Sequence, residues 1–158
     1  MWNKIKPYVI SIAIALGVGA LSSLLTKGNM NLYDYIVKPP LSPPMIVFPI
    51  VWSILFILMG ISSAMVFVNR ENNKEAARSA LLTYAFQLAV NFFWSIIFFN
   101  MKAYLFAFIW ILLLLALILI MIIQFRKVSK TAAYLQIPYL LWVIFAAYLT
   151  FMVYFLNR

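Results

Sequence analysis

Apolar residues in this chain run on in blocks, without the strict alternation of a half-buried strand or the narrow stripe of a surface helix. Five blocks stand out, at about 7–26, 46–68, 80–101, 104–125 and 133–156, and none has a charged residue in its interior. A helix rises 1.5 Å per residue, so about 20 such residues cross the roughly 30 Å of hydrocarbon in a bilayer. The pattern predicts an all-α integral membrane bundle of five transmembrane helices, with residues 1–158 forming a single domain. The fourth block is apolar on every side, with Leu112 to Leu115 unbroken, which suits the helix most exposed to lipid.

The connections differ in kind. Residues 69–79 read as a charged turn, and residues 100–103 and 126–131 are tight. The first connection, 27–45, is longer and contains Lys38-Pro39-Pro40-Leu41-Ser42-Pro43-Pro44. Proline restricts φ and removes backbone donors, so this segment is expected to be stiff without a sheet or helix of its own. A long loop on a short-looped bundle is more often functional than idle, and a lid over one mouth of the bundle is the expectation here. On the first span Ser11, Ala15, Gly19 and Ser23 recur every four residues, a spacing that lets a second backbone approach closely. That approach serves packing within the bundle or a homodimer contact.

Composition sharpens the picture. Of 158 residues 67% are apolar and 9% charged, too few charges to solvate the surface of a water-soluble domain. The net charge of +9 would suggest nucleic acid in a soluble protein. Here the cations sit at the ends of apolar blocks, where they meet headgroups and set topology, so no nucleic-acid partner is expected. Lys4, Lys6, Arg70, Lys74, Arg78, Arg126, Lys127 and Lys130 fall on one side, against Lys27, Lys38, Lys102 and Arg158 on the other. This bias predicts a multi-pass protein of the cell membrane with a cytoplasmic N-terminus and the C-terminus outside. Lys4 and Lys6 before an apolar block resemble a secretion signal, but the block is long for one and lacks a small-residue cleavage site.

The chain has neither Cys nor His. A disulfide framework, a Ser-His-Asp triad, a zinc site and a His- or Cys-ligated haem are therefore excluded. Polar residues within the spans are costly in lipid and mark sites or interhelical hydrogen bonds. The third span carries Gln87 and Asn91 one turn apart, with Trp94 continuing their face; the second carries Trp52, Phe56 and Gly60; the fifth carries Pro138, Trp142 and Ala146. Trp52 and Trp94 each lie about 10 Å from the loop end of their helix, at 1.5 Å per residue. These stripes predict an aromatic-walled pocket with a few polar handles, the usual anatomy of a small-molecule site.

The same positions carry a family resemblance. Lys38-Pro39 with Pro43-Pro44, Pro49-x-x-Trp52 running to Met59-Gly60, Gln87-Leu88-x-x-Asn91-x-x-Trp94 with Phe98-Phe99, and Pro138-Tyr139-x-x-Trp142-x-x-x-Ala146 occur in order along nearly the whole chain. The chain resembles the TspO/MBR family, the bacterial tryptophan-rich sensory proteins and mitochondrial translocator proteins. The resemblance implies a five-helix bundle that binds porphyrins and isoquinoline carboxamide or benzodiazepine-type ligands. For bacterial members it also implies light-dependent breakdown of protoporphyrin IX. By position, Trp52 and Trp142 match the tryptophans tied to ligand binding and photochemistry, and Tyr33, Asn91 and Ala146 match pocket positions. Leu32, Phe92, Ser95-Ile96 and Phe106 depart from the family's usual residues, leaving a pocket poorer in Trp and richer in Phe. A sterol motif also linked to the family is met only loosely by Leu149, Tyr154 and Arg158, and no sterol is assigned.

The resulting expectation is a membrane receptor for tetrapyrroles and small apolar ligands, with photooxidative turnover of protoporphyrin IX. Its ligand-binding residues are Tyr33, Lys38, Pro44, Trp52, Phe56, Gln87, Asn91, Trp94, Trp142 and Ala146, and Trp52 and Trp142 are the photochemical pair. Porphyrin enters as ligand or substrate, and no cofactor is required. A transporter of tetrapyrroles and a ligand-gated sensor or scaffold are the alternatives. No span carries the intramembrane charge that an ion-coupled transporter usually needs.

Overall fold

The computed structural model describes residues 1–29 and 31–158, so Met30, within the long first connection, lies outside the described residues. The elements are α1 (Trp2–Thr26), a 3₁₀ turn (Lys27–Asn29), α2 (Leu32–Tyr35), α3 (Val47–Val68), a second 3₁₀ turn (Arg70–Asn72), α4 (Lys74–Ser95) running into a π turn (Ile96–Asn100), α5 (Tyr104–Arg126), α6 (Lys130–Leu135) and α7 (Ile137–Asn157). The described residues contain no strand. Five stretches, Trp2–Asn29, Val47–Val68, Lys74–Asn100, Tyr104–Arg126 and Lys130–Asn157, are long and apolar enough to cross a membrane. The protein is a multi-pass helical membrane protein.

The helices begin earlier than the apolar blocks at the end carrying Lys4, Arg70 and Lys127, here called the basic end. α4 starts at Lys74 because the Asn73 side chain caps it, accepting from the Ala76 N–H. Ser129 caps α6 in the same way through Ala132 N–H. These side-chain acceptors satisfy helix donors that would otherwise have no partner, so the helix extends through charged residues outside the hydrocarbon. The fifth span is interrupted at Gln136, and Pro138 falls in the first turn of α7, where its missing N–H costs least.

α1 packs along α3, α4 along α5, and α5 along α7; α6 bridges α3 and α5. Hydrocarbon competes equally for apolar side chains, so membrane helices associate chiefly by close packing. The small residues of α1 are used for this purpose. A Cβ on Gly60 would stand 2.5 Å from the Ile12 Cα, and one on Gly19 would stand 2.5 Å from the Phe56 ring. Ala15 is fully buried between them. The all-round apolar fourth block suggests greatest lipid exposure, but the first span is the less buried: 17% of its central residues are buried against 28% in α5. The reason is position. α5 is flanked by α4, α6 and α7, whereas α1 lies at the margin against α3 and α4.

The first connection is not devoid of helix. Leu32 is buried at the start of α2, anchoring it to Ile97, Phe98, Ala107 and Val153. Beyond it the chain turns at Pro39–Ser42, where the Ser42 N–H and Oγ both donate to the Pro39 carbonyl. Pro40 supplies the fixed φ of the first turn residue, and Leu41 takes the left-handed second position at φ 71°. That combination is a type II turn, which ordinarily carries Gly or Asn at the second position.

Candidate functional site

Near the middle of the bundle α4 and α7 meet through a buried polar network. The Tyr139 hydroxyl donates to Gln87 Oε1 (2.6 Å) and accepts from Asn91 Nδ2 (2.7 Å). Gln87 and Tyr139 are completely buried and Asn91 nearly so. The remaining Gln87 donor points at Met59 Sδ on α3, 4.0 Å away, a weak acceptor. Helical spacing explains the pairing: Gln87 and Asn91 lie one turn apart on one face, so one hydroxyl can reach both. Tyr139 is the residue that sequence reasoning did not place in the site. Two unpaired amides inside a membrane required a partner, and a tyrosine inside the facing apolar block was the signal for it.

Aromatic rings extend from this network toward the loop end. Trp52 meets the Tyr139 ring edge-on at 6.3 Å and tilts against Phe56 at 5.7 Å. Trp142 contacts Phe48 at 6.0 Å, Phe48 contacts Tyr33 at 5.6 Å, and Lys38 Nζ stands 4.8 Å above the Tyr33 ring. Trp142 also touches Phe145, which stacks on Tyr148. Two loop carbonyls close the series, with Tyr33 Oη donating to Pro43 (2.8 Å) and Tyr148 Oη to Pro40 (2.9 Å). Asn157 grips Val37 from both sides, accepting from its N–H (2.8 Å) and donating to its carbonyl (3.1 Å). The long connection is thus laid across the loop end and fastened to both α3 and α7.

Between α3 and α7 lies a cleft of about 430 Å³ lined by Val51, Ile54, Leu55, Leu58, Pro138, Leu141, Trp142 and Phe145. Its size falls within the range of about 300–1,000 Å³ found for small-molecule sites. Ile54 and Leu141 are exposed, so the cleft opens sideways toward lipid. The Trp142 Nε1–H is buried without a hydrogen-bond partner, whereas the Trp110 Nε1–H donates to the Val90 carbonyl. Trp142 therefore gives the cleft a flat ring on an apolar wall, with its one N–H buried and unpaired.

The structure brings together Gln87, Asn91 and Trp52 around Tyr139, and Tyr33, Lys38 and Trp142 through Phe48. Phe56 turns toward Gly19 on α1. Trp94 stacks on Phe98 in a separate aromatic cluster at the end of α4, 5.1 Å between centroids. Ala146 is buried in the main core, its carbonyl accepting from Thr150 Oγ1 (2.7 Å), and Pro44 is exposed. Phe48, Phe145 and Tyr148 join the site from the second and fifth apolar blocks, where nothing in the sequence sets them apart from the other aromatics of those spans. No group of three or more His, Cys, Asp or Glu able to hold a metal occurs among the described residues.

Residues 11–156 match the model of the TspO/MBR family. The chain is 39% identical to the Tryptophan-rich protein TspO of Chlorobaculum tepidum over 158 residues, 99% of each chain. It is 31% identical to the Tryptophan-rich sensory protein of Cereibacter sphaeroides over 142 residues, 90% of this chain and 86% of that one. It is 33% identical to the Translocator protein of Ovis aries over 134 residues, 84% of this chain and 79% of that one.

Proposed function

The chain belongs to the TspO/MBR family, and from that premise we propose that it is a membrane receptor for tetrapyrroles, protoporphyrin IX in particular, with light-dependent photooxidative degradation of the bound porphyrin. The observation that carries this reading is Trp142 on the wall of the lipid-open cleft between α3 and α7, with Trp52 one residue beyond the lining Val51. A flat apolar macrocycle enters such a cleft from the hydrocarbon and stacks on indole. Isoquinoline carboxamide and benzodiazepine-type ligands suit the same apolar wall by stacking on the Trp142 ring. The porphyrin propionates need cations near the loop end, and Lys38, exposed beside Tyr33, supplies one. Light provides the energy of turnover and dissolved oxygen the oxidant. Indole beside the excited macrocycle donates an electron or reacts with the activated oxygen, so the chemistry needs no acid–base pair.

We infer a cell-membrane protein with a cytoplasmic N-terminus, a reading supported by the eight-to-four bias of Lys and Arg toward the basic end. A homodimer would use Ala13 and Gly17, two of the small residues that α1 leaves exposed. Passage of the ligand across the bilayer is the second reading, favoured by the relative named Translocator protein; a sensing role without turnover is favoured by the relative named Tryptophan-rich sensory protein.

Titrating the purified protein with protoporphyrin IX, following Trp fluorescence and porphyrin absorbance first in darkness and then in light, tests the proposal. Saturable dark quenching followed by light-driven loss of porphyrin absorbance is expected. Dark binding alone leaves a receptor or sensor, and no saturable binding rejects the tetrapyrrole reading.

A further inference from the structure

Away from the cleft, a second groove of about 540 Å³ runs between the start of α5 and the end of α7, at the loop end. Its walls include Lys102, Tyr104, Leu105, Phe106, Ile109 and Tyr154, none of them on the wall of the α3–α7 cleft. Lys102 stands just before α5, and Leu105, Phe106 and Ile109 follow it at the three, four and seven residue spacing of one helix face. These three apolar side chains are exposed. At 1.5 Å per residue the groove reaches about 10 Å from Lys102 down to Ile109. A cation thus tops an apolar channel that opens onto the hydrocarbon.

Lys102 holds its place at a conformational cost. Its φ of 53° lies in the left-handed region, just past the π turn that ends α4, where glycine ordinarily stands. The backbone closes this reversal by itself: the Met101 N–H donates to the Ile96 carbonyl (3.0 Å) and the Ala103 N–H to the Ile97 carbonyl (3.2 Å). The turn has no need of the lysine side chain. Nor is the lysine charge neutralised within the protein. Both salt bridges among the described residues use Glu71, at the basic end. At the loop end Lys27, Lys38, Lys102 and Arg158 stand against Asp34 alone. A strained residue whose charge has no internal partner points to a function outside the turn.

We propose that this groove binds one anionic phospholipid, with the phosphate beside Lys102 Nζ and an acyl chain along Leu105, Phe106 and Ile109. The groove follows the order of chemistry in a lipid, charge at the interface and then hydrocarbon. Tyr104 and Tyr154 flank the boundary between the two, the level at which amphipathic tyrosine rings settle. The Tyr104 ring packs on Phe98, 5.2 Å between centroids, so that wall stands ready without the lipid. A second copy of this chain suits the groove less well, because it brings the same excess of cations to the same level.

The test equilibrates the purified full chain in detergent with equal amounts of phosphatidylglycerol and phosphatidylcholine, then counts retained lipids by native mass spectrometry. Retention of one phosphatidylglycerol in preference to phosphatidylcholine is expected, and a parent protein without that preference overturns the proposal. In Lys102→Gln the preference should fall about fivefold, the equivalent of about 1 kcal/mol for one interfacial cation. Lys27 is an exposed cation at the same end but outside the groove. Lys27→Gln should leave the preference unchanged; an equal fall there would show diffuse charge and overturn the site. Ile109→Trp fills the channel from a lipid-facing position and should reduce retention. Retention equal to the parent's in Ile109→Trp, or displacement of the lipid by inorganic phosphate, would make the ligand a phosphate group alone and overturn the lipid reading. Lys102→Gly separates ligand from fold. Glycine relieves the strained backbone, so melting without added lipid should not fall, while the phosphatidylglycerol preference should drop as in Lys102→Gln. A lower melting temperature in Lys102→Gly with the preference intact would show that the lysine serves the turn and not a lipid.

Discussion

Tyr139 and Gln87 share a 2.6 Å hydrogen bond in a part of the bundle where both residues are wholly buried. The same hydroxyl accepts from Asn91, so one atom connects two amides on α4 to α7. Tyr139→Phe keeps the ring against Trp52 but leaves Gln87 Oε1 and Asn91 Nδ2 without a partner. Stability should fall by about 1–3 kcal/mol, nearer the lower figure because hydrogen bonds within membrane bundles average about 0.6 kcal/mol in double-mutant cycles. Gln87→Leu added to Tyr139→Phe should return part of that loss. A Tyr139→Phe protein that melts with the parent would show that the network contributes no stability.

The clamp of Asn157 on Val37 gives a local prediction. Both hydrogen bonds are exposed, so Asn157→Ala should leave the melting of the bundle within about 0.5 kcal/mol of the parent. The Val37 amide should exchange with deuterium faster, and the Pro-rich segment should be cut sooner by protease. Unchanged exchange at Val37 would mean that Tyr148 and Tyr33 hold the loop without Asn157.

Run lengths made the five spans legible because lipid demands about 20 uninterrupted apolar residues. The polar stripe of Gln87 and Asn91 was legible because amides in such a run need a reason. Tyr139 was not, because tyrosine in an apolar block reads as an interfacial aromatic, and only the α4–α7 packing shows its hydroxyl directed inward. Phe56 and Trp52 looked like one stripe at a spacing of four. α3, however, lies between α1 and the α7 cleft, so Phe56, while still against the Trp52 ring, also meets Gly19, and Trp52 meets Tyr139. Sequence periodicity identifies a face but not which neighbour covers it. The greater lipid exposure of α1 was hidden for the same reason, since its small residues match the expectation for a buried helix.

Gly60 and Gly17 should respond in opposite directions to the same substitution. A methyl at Gly60 meets the Ile12 backbone at 2.5 Å from Cα and 2.8 Å from N, and backbone cannot rotate away. Gly60→Ala should cost about 1–3 kcal/mol by overpacking. At Gly17 nothing lies within 4 Å, so Gly17→Ala should raise helix stability by up to about 1 kcal/mol. Thermal melting of both variants checks this, and equal effects would remove the close α1–α3 contact.

Trp52 and Trp142 make the proposed photochemistry separable from binding. Phenylalanine keeps a flat apolar ring but is a poorer electron donor than indole. Trp142→Phe and Trp52→Phe should slow light-driven loss of protoporphyrin IX more than they weaken its dark binding. Matching losses in the two assays would reduce both residues to pocket walls.

Ala146 offers a direct choice between packing and ligand contact. It lies one turn beyond Trp142, yet it is 8% exposed and does not line the cleft. Its neighbours belong to the main core, and its carbonyl already accepts from Thr150. Ala146→Leu should therefore push side-chain volume into packed helix faces and lower the melting temperature of the ligand-free protein, at about 1–3 kcal/mol. Affinity of the folded fraction for protoporphyrin IX should stay within about threefold, since about 1.4 kcal/mol is needed for a tenfold change. The opposite pattern, unaltered melting with affinity reduced roughly 5- to 150-fold, would mean that the overpacking is felt only when ligand is bound. That outcome would move the ligand from the lipid-open cleft into the bundle interior beside Ala146.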